Sequence, residues 1–400
     1  MAAMEFPDAL RVAVDAARAC GTVEAETVPR PDAAGRVLAS AALLDRDSPS
    51  CDVSAMDGFA VRRDELAAGP VRLAGYCRIG EEPATLAAGE ALAIYTGCPV
   101  PTGADTVARL EIATADGDTL TLNEGEDLVA GADIRRQGEN GRGGDELLPA
   151  GRAVTPAAAS ALATVGLSEV PVFRRLRVGV LTTGNELLDA DDPATPPAWK
   201  IRNSNGPALA SMFGGQPWVG AVGHHGVPDD FDATVATIEA AIAEYDAVAL
   251  TGGVSKGAFD FVPKAIETLG GTIHVHGVKA RPGRPTLIAT ASGKPVVGLP
   301  GNPLSVLSVA RRLLVPVLRV RAGFAVADAP AGLVTLDEPR TKPIGLTRWW
   351  PARLTEHGVA TLAAIKGSGD TRGPAASDGF VEVPPDTVGA GPFPFFAWGG

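Results

Sequence analysis

The sequence has few cysteines and no long apolar run, and both absences restrict what the protein can be. No stretch of about 18 apolar residues free of charges and helix breakers occurs, so we expect no segment that spans a membrane. The four cysteines lie far apart and form no pair with metal-ligand spacing; they are Cys20, Cys51, Cys77 and Cys98. Such a chain is typical of a cytoplasmic protein with reduced thiols.

Positive charge is also scarce. Lysine and arginine together number 35 against 47 acidic residues, which gives a formal net charge of −12 and a pI near 5.0. This balance argues against nucleic acid or an anionic membrane surface as the main partner. Every lysine lies at or beyond Lys200, so arginine supplies the basic side chains of the first half. Any site for an anion must therefore be local.

What the chain does contain is typical of a globular protein. Hydrophobic residues make up 46% and charged residues 20% of it, and the length predicts two to four domains. The segment MAAMEFPDALRVAVDAARAC alternates charged and apolar residues at helical spacing. It therefore predicts an amphipathic helix and not a signal peptide.

The first half of the sequence predicts a β domain inserted into a smaller domain. Residues 24–42 predict a short strand and then a short helix at AAGRVLASAAL. Residues 45–139 carry short β-prone runs between turn signals, which predicts a compact β domain. A helix ending at Gly166 and a strand at EVPVF follow. We therefore predict a discontinuous domain of residues 1–45 and 140–172 around an inserted β domain of residues 46–139.

Strands alternate with helices from Arg174 onward, which predicts a doubly wound, largely parallel sheet over residues 173–322. Ligands of such sheets bind beyond the carboxyl ends of the strands, where Thr183, Thr251 and Pro300 fall. Residues 323–400 predict a C-terminal β domain, and its tail GAGPFPFFAWGG is expected to pack irregularly. The fold class is therefore α/β and multidomain.

One stretch, DAVALTGGVSKGAFDF, predicts a strand, a glycine turn and the start of a helix. Backbone N–H groups of such a turn, together with the helix dipole, favour an oxyanion. Asp260 would repel an anion unless a divalent metal bridges the two. The alternative is that Asp260 caps the helix.

Carboxylates follow other strands of the predicted sheet in the same way. Glu186 in TTGNEL is a candidate metal ligand, with helix capping by Asn185 or Glu186 as the alternative. Asp229 and Asp230 come after the next strand. Such carboxylates, together with ligand phosphates, could bind a divalent metal.

Two further motifs suit an anion. RPGRP places Arg281 and Arg284 on a turn made rigid by prolines, where both guanidinium groups can meet one oxyanion, although a basic surface turn is the alternative. GLPGNPLSV runs from a strand into a helix with Ser305 in the first turn. His274 and His276 share a strand face but lack a third ligand, which is weak evidence for a metal.

The order of the motifs is more specific than any one of them. SAMDGFAV, TGCPVP, TTGNEL, SNG, LTGGVSKGAFDF, RPGRP and GLPGNPLSV follow one another over most of the chain. This order resembles the MoeA family, the molybdopterin molybdenumtransferases, which includes the E domain of gephyrin. The resemblance implies a homodimer of elongated subunits. Each would have a MogA-like molybdopterin-binding α/β domain, an inserted β domain, a small α+β domain and a C-terminal β domain.

The resemblance also implies an activity and its site. The family inserts molybdate into adenylylated molybdopterin with Mg²⁺ and releases AMP, in the cytoplasm. The implied catalytic residues are Asp57, Glu186 and Asp260, and the implied metal ligands are Glu186, Asp229 and Asp260. The implied substrate-binding residues are Thr96, Thr183, Gly252, Gly253, Ser255, Arg281, Arg284, Pro300, Asn302, Ser305 and Ser368. Neither nucleic acid nor a membrane is an expected partner.

Several positions depart from the family pattern. Asn140 and Asn203 stand where the resemblance places aspartates, and Lys256 adds a charge to the glycine loop. The arginine that contacts molybdate could be Arg348 or Arg353, or its place could be taken by Pro351.

These departures keep two other interpretations open. One is a non-catalytic protein of the MoeA type that binds or carries molybdopterin. The other is an enzyme of the adenylyltransferase step, which the RPGRP motif and the extra domains make the weaker interpretation.

Overall fold

The computed structural model describes residues 2–255, 257, 260–355 and 358–399. The chain divides into two units. The larger unit consists of Met1–Ser40, Ala150–Ala159 and Ser168–Gly400, and the smaller of Ala41–Pro149 and Ser160–Leu167. The division into four domains remains a prediction. No helix among the described residues has both the length and the apolar character needed to cross a bilayer.

The chain begins with strand β1 (Met4–Glu5), helix α1 (Phe6–Ala19) and strand β2 (Ala25–Pro29). Helix α1 confirms the predicted amphipathic helix, because Phe6, Ala9, Ala13 and Ala17 form its buried stripe.

The predicted helix at residues 33–43 is wrong. A short 3₁₀ turn, Arg30–Ala33, is followed by extended backbone, in which the Leu38 N–H donates to the Arg152 carbonyl and the Val37 carbonyl accepts from the Phe173 N–H. Pairing with distant segments therefore replaces the local helical bonds.

The smaller unit contains the predicted β domain. Its strands are β3 (Ala42–Leu43), β4 (Val53–Ser54), β5 (Gly58–Val61), β6 (Val71–Tyr76), β7 (Glu90–Ile94), β8 (Thr106–Arg109), β9 (Ala113–Asp116), β10 (Thr119–Leu122), β11 (Ile134–Arg135) and β12 (Glu146–Leu148). A six-stranded sheet has the order β8-β5-β7-β6-β10-β9. Helix α2 (Arg63–Ala68), which the sequence reading missed, places Leu66 in the core of this unit beside Phe59 and Leu120.

Helix α3 (Pro156–Thr164) and strand β13 (Glu169–Phe173) follow as predicted. Strand β13 pairs antiparallel with β2 in the larger unit.

The α/β part of the larger unit comes next in the chain. Its strands are β14 (Leu176–Thr183), β15 (Leu187–Leu188), β16 (Ile201–Arg202), β17 (Val219–Val227), β18 (Ala247–Thr251), β19 (Thr272–His276), β20 (Val278–Arg281), β21 (Leu287–Ala291) and β22 (Lys294–Leu299). Its helices are α4 (Asn205–Gly214), α5 (Phe231–Glu244), α6 (Val262–Thr268), α7 (Pro303–Val309) and α8 (Val315–Arg321). A π-helical turn, Ala310–Leu314, joins the last two helices.

A six-stranded sheet of order β17-β14-β18-β22-β21-β19 forms the centre of this part. The first four strands pair in parallel, whereas β21 pairs antiparallel with both β22 and β19. Five of the six strands therefore run in one direction, which confirms the doubly wound, largely parallel sheet. Every residue of β18 is buried, as expected for a Val- and Ala-rich strand covered on both faces. Thr182 pairs with Thr251, which in turn pairs with Leu299, so three strands end at the same edge of the sheet.

The chain ends in strands β23 (Gly332–Leu336), β24 (Thr347–Leu354), β25 (Val359–Leu362), β26 (Gly379–Val383) and β27 (Phe393–Ala397), with helix α9 (Arg372–Ala375). They form a seven-stranded sheet that also includes β1 and β20. The expectation of an irregular tail is wrong, because β27 pairs with β23 and β26 and buries Phe393, Phe395 and Phe396. The phenylalanines gain more from burial than Gly and Pro cost in strand propensity.

Candidate functional site

A cavity of about 470 Å³ lies beyond the common edge where β14, β18 and β22 end. Its lining is Thr183, Gly184, Glu186, Leu187, Ile201, Arg202, Ser204, Asn205, Asp229, Thr251, Gly252, Gly253, Gly257, Asp260, Gly301, Asn302 and Pro303. We call it the strand-end cavity. It occupies the position where ligands of doubly wound sheets bind.

The strand-end cavity brings together seven of the residues that the sequence singled out. They are Thr183, Glu186, Asp229, Gly252, Gly253, Asp260 and Asn302. The remaining predicted residues of the larger unit do not line it; they are Ser255, Arg281, Arg284, Pro300, Ser305 and Ser368. Lys256 lies outside the described residues.

The glycine turn after β18 has a backbone that only glycine adopts readily. Gly252 and Gly253 have φ values of 83° and 66°. A Cβ at Gly252 would lie 2.6 Å from the Thr183 hydroxyl, which itself donates to the Thr251 carbonyl at 3.2 Å. The turn therefore presents bare backbone to the cavity beside a hydroxyl, as a phosphate site requires.

The three carboxylates of the strand-end cavity differ in the hydrogen bonds that they accept. Asp229 accepts from the Asn185 backbone N–H at 2.9 Å, and Asp260 accepts from the Gly257 N–H at 2.5 Å. In the described part of the chain, no hydrogen bond or ion pair engages the Glu186 carboxylate. Glu186 is thus the carboxylate most available to a ligand.

The alternatives that treated these side chains as helix caps are not supported. Helix α6 begins at Val262 without a side-chain cap, and a strand, not a helix, follows Glu186. Asp230, by contrast, does cap helix α5 by accepting from the Ala233 N–H at 2.9 Å. This leaves Asp229 as the member of that pair that faces the cavity.

The donor set fits Mg²⁺ only in combination with a ligand. Among the described residues, no group of three or more His, Cys, Asp or Glu side chains is arranged to hold a metal ion. Mg²⁺ is usually bound by one or two carboxylates together with substrate phosphates and water. Glu186, with Asp229 or Asp260 nearby in the cavity, satisfies that description.

Two buried polar atoms at the strand-end cavity lack partners among the described residues. The sequence placed Thr251 at the strand ends, whereas Asn205 was missed. The Thr251 hydroxyl and the Asn205 side-chain oxygen are buried without a hydrogen bond in the structure, and both residues line the cavity. An unsatisfied buried polar atom is costly and usually marks a place for a ligand or water. Asn205 lies in the SNG motif, which could have indicated it. Its amide nitrogen donates to the Gly301 carbonyl at 2.7 Å.

The start of helix α7 joins two predicted motifs that are distant in sequence. The Asn302 amide donates to the Ser368 hydroxyl at 2.9 Å, and the Leu304 N–H donates to the Ser368 carbonyl at 3.1 Å. Ser305 is buried in the first turn of α7. Ser368 and the GLPGNPLSV motif therefore lie side by side, although neither Ser305 nor Ser368 lines the strand-end cavity.

The RPGRP turn is held by its backbone. The Arg284 carbonyl accepts from the N–H groups of Val278 and Thr286, and the Thr286 hydroxyl donates to the Gly283 carbonyl. Arg281 and Arg284 are exposed, so their side chains remain available for an anion.

Asp57 and Thr96 lie together in the smaller unit. The Asp57 carboxylate accepts from the Thr96 N–H at 2.7 Å and from the Thr96 hydroxyl at 2.9 Å. The backbone bond first, and then the side-chain bond, lowers the pKa of Asp57 below its ordinary value. SAMDGFAV and TGCPVP thus form one hydrogen-bonded pair.

The two asparagines that depart from the family pattern are both hydrogen-bonded. In the smaller unit, Asn140 accepts from Arg135 at 2.8 Å and donates to the Ser48 hydroxyl at 3.3 Å. In the larger unit, the Asn203 amide nitrogen lies 3.0 Å from the Thr182 hydroxyl and 3.1 Å from His224 Nε2. Because an amide nitrogen can only donate, His224 Nε2 accepts and the ring is neutral. Burial, with a smaller contribution from His225, lowers the pKa of His224.

We expect Asn203→Asp to raise the pKa of His224 by about 1 or more, because a carboxylate would replace an amide beside the ring and favour the charged imidazolium. NMR titration of the imidazole signals measures this directly. Asn123→Asp, in the smaller unit, is the control that should leave the His224 titration unchanged. An unchanged titration in the Asn203 variant would contradict the contact.

The structure also shows what His274 and His276 contact, and where the three candidates for the molybdate-contacting position lie. His274 contacts the Thr290 hydroxyl and His276 contacts the Val254 carbonyl. Pro351 is buried within β24, whereas Arg353 is exposed and lines a separate cavity of about 950 Å³. Arg348 also lies in β24, is partly buried, and has its guanidinium carbon 4.0 Å from the centre of the Trp350 ring.

Comparison with known proteins gives one consistent result. A family model described as the MoeA N-terminal region (domain I and II) matches residues 4–166, and a probable molybdopterin binding domain matches residues 179–320. A molybdopterin molybdenumtransferase of Synechococcus elongatus is 38% identical over 347 residues, which cover 83% of this chain and 84% of that protein.

Two further relatives cover almost the whole chain. Molybdopterin molybdenumtransferase 2 of Mycobacterium tuberculosis is 31% identical over 392 residues, 94% of this chain and 95% of that protein. The crystal structure of a molybdopterin biosynthesis MoeA protein from Pyrococcus horikosii aligns over all of both chains with 28% identity and a TM-score of 0.75. The extent and identity of these matches show that the chain belongs to the MoeA family of molybdopterin molybdenumtransferases.

Proposed function

We propose that the protein is a molybdopterin molybdotransferase, which inserts molybdate into adenylylated molybdopterin and releases AMP in molybdenum cofactor biosynthesis. The observation that carries the proposal is the strand-end cavity, where a glycine turn meets a carboxylate and two buried polar atoms that no described residue engages. The names of the curated relatives support the same activity.

The residues of the strand-end cavity suit the cleavage of adenylylated molybdopterin. The bond that breaks is the phosphoanhydride between AMP and the pterin phosphate, and its cleavage depends on positioning and on neutralising phosphate charge. Of the glycine turn, the Gly253 N–H would hold a phosphate, because the Gly252 N–H already donates to the Leu299 carbonyl at 3.1 Å. The Thr251 hydroxyl and the Asn205 side-chain oxygen would hydrogen-bond other polar groups of the substrate.

Magnesium is part of the proposal. Glu186, with Asp229 or Asp260, would hold Mg²⁺ together with substrate phosphates, and the ion would supply positive charge that offsets the negative charge of the phosphate oxygens. Asp57 is a proposed catalytic residue on the strength of its motif. A homodimer and a cytoplasmic location also remain proposals, which follow from the family resemblance.

The test is a turnover assay with the purified full chain. With adenylylated molybdopterin, Mg²⁺ and no ATP, we expect AMP release that depends on added molybdate, measured by chromatography. Substrate binding without AMP release would overturn the enzyme proposal. It would favour the second candidate, a molybdopterin-binding protein without turnover, which the amide hydrogen bonds of Asn140 and Asn203 support. A strict ATP requirement would indicate the adenylyltransferase step.

A further inference from the structure

One of the five tryptophans is exposed and unpacked. Trp199 is 76% exposed, and in the described part of the chain its ring contacts no other ring and no cation. The other four each contact an aromatic ring or a guanidinium group: Trp218 contacts Phe324, Trp349 contacts Phe6, Trp350 contacts Arg340 and Arg348, and Trp398 contacts Phe380. Single exposed apolar residues are common, so the surroundings of Trp199 decide its meaning.

Trp199 lies next to the wall of the strand-end cavity. Ile201, two residues further along the chain, lines that cavity and is itself 56% exposed. Two residues of chain span at most about 7 Å. We call Trp199 and Ile201 the apolar ledge. The ledge begins in solvent and ends at the cavity, so a flat ring that leaves the cavity on this side meets the indole.

The backbone of the apolar ledge is anchored to the candidate metal site. The Ile201 N–H donates to the Glu186 carbonyl at 2.9 Å, where strands β15 and β16 pair in parallel. The ammonium group of Lys200, between the two ledge residues, donates to the Asn185 carbonyl. These bonds fix the position of Trp199 relative to the carboxylate that would hold Mg²⁺ beside the substrate phosphates.

The segment that leads into Trp199 is also held in place. A turn brings the Lys200 N–H to the Pro197 carbonyl at 2.9 Å, with Trp199 inside the turn. The Arg202 guanidinium donates to the Ala194 carbonyl at 2.6 Å and so ties the preceding loop to β16. An indole has only two side-chain torsions, and on a fixed backbone it loses little conformational entropy when a flat ligand stacks on it.

We propose that Trp199 stacks on the adenine ring of the adenylyl group and makes the site selective for an adenylylated substrate. Purines stack well on indole, because both present a flat π face. The substrate also carries a pterin ring, but the adenylyl group is the part that leaves. An indole in open solvent suits a group that must be released. The choice of adenine rests on the proposed function.

The test compares AMP with ribose 5-phosphate, which shares the phosphate and the sugar but lacks the ring. Binding of each to the full chain with Mg²⁺ is measured by isothermal calorimetry and by quenching of tryptophan fluorescence. We expect Trp199→Leu, which keeps an apolar side chain without the ring, to weaken AMP about tenfold and to abolish the quenching. Its affinity for ribose 5-phosphate should be unchanged. Trp199→Phe should fall between the wild type and the leucine variant.

The matched control is Tyr76→Leu, which removes another exposed aromatic ring, in the smaller unit. It should leave the AMP affinity unchanged. Because Trp199 is mostly in solvent, the melting temperature of Trp199→Leu without ligand should equal that of the wild type. This comparison checks that a loss of AMP binding does not come from misfolding.

The outcomes separate the stacking contact from the proposed function. Equal AMP affinity in the wild type and in Trp199→Leu overturns the contact, whatever the turnover assay shows. An equal loss for AMP and ribose 5-phosphate also overturns it, because the effect would then not depend on the ring. Quenching of Trp199 by 6-hydroxymethylpterin but not by AMP overturns the choice of adenine. If Trp199-dependent AMP binding persists while no AMP is released from adenylylated molybdopterin, the contact stands and the proposed function fails.

Discussion

Replacement of Glu186 by glutamine is expected to lower the rate of AMP release about 10²- to 10³-fold. The variant keeps the shape of the side chain but removes the negative charge of the carboxylate that no described group engages. If Glu186 binds Mg²⁺, the Mg²⁺ concentration that gives half-maximal rate should rise as well. Both quantities come from the same AMP assay, run over a range of Mg²⁺ concentrations.

The matched control is Glu239→Gln, which makes the same chemical change on an exposed position of helix α5. It should leave the rate and the Mg²⁺ dependence unchanged. A Glu186 variant with wild-type turnover at all Mg²⁺ concentrations would remove Glu186 from the proposed site, and Asp229 and Asp260 would have to be tested in its place.

Replacement of Asp246 by alanine is expected to destabilise the larger unit by about 3–5 kcal/mol. Asp246 is 3% exposed and accepts two bonds from the Arg174 guanidinium, both of 2.7 Å, and one from the Arg177 N–H at 2.8 Å. Among the described residues, the alanine variant would leave the half-buried Arg174 charge with the exposed Glu24 as its one acidic partner. Urea unfolding measures the difference. The control Asp8→Ala, which breaks an exposed pair with Arg11, should cost less than about 1 kcal/mol.

The same carboxylate predicts a pH dependence. Burial acts to raise the pKa of Asp246, but the hydrogen bonds from Arg174 and Arg177 outweigh it and hold the pKa below its ordinary value. The stabilisation is therefore present in full above the unfolded pKa of about 3.9 and is lost as the pH falls through the lower folded value. The stability gap between wild type and Asp246→Ala should narrow below pH 4. A gap that stays constant down to pH 2 would contradict the ion pair.

The sequence predicted the elements whose signals are local. The apolar runs of β14, β18 and β22 indicated buried parallel strands, and the rule that ligands bind beyond the ends of such strands pointed to Thr183, Thr251 and Pro300. Thr183 and Thr251 do line the strand-end cavity, and Pro300 does not. The motif order predicted the family, which the comparisons confirm.

What the sequence could not predict depends on distant partners. The segment at residues 33–43 has helical composition but pairs with residues near 152 and 173. The tail that contains β27 is rich in proline and glycine, yet β27 forms because it pairs with β23 and β26 and buries its phenylalanines. The orphaned atoms of Thr251 and Asn205 exist only because surrounding residues bury them without a partner. No local pattern carries that information.

The position of β20 within the seven-stranded sheet has a consequence for synthesis. This strand, which ends in Arg281, lies between β1 near the start of the chain and β24 near its end. On a ribosome that adds about 5–20 residues per second, the 66 residues from Arg281 to Thr347 take on the order of ten seconds to be added after β20 is complete. Until then one edge of β20 has no neighbour, and an unpaired edge is a template for association with other chains. Nascent chains that stall before β24 are therefore the form of this protein most exposed to aggregation.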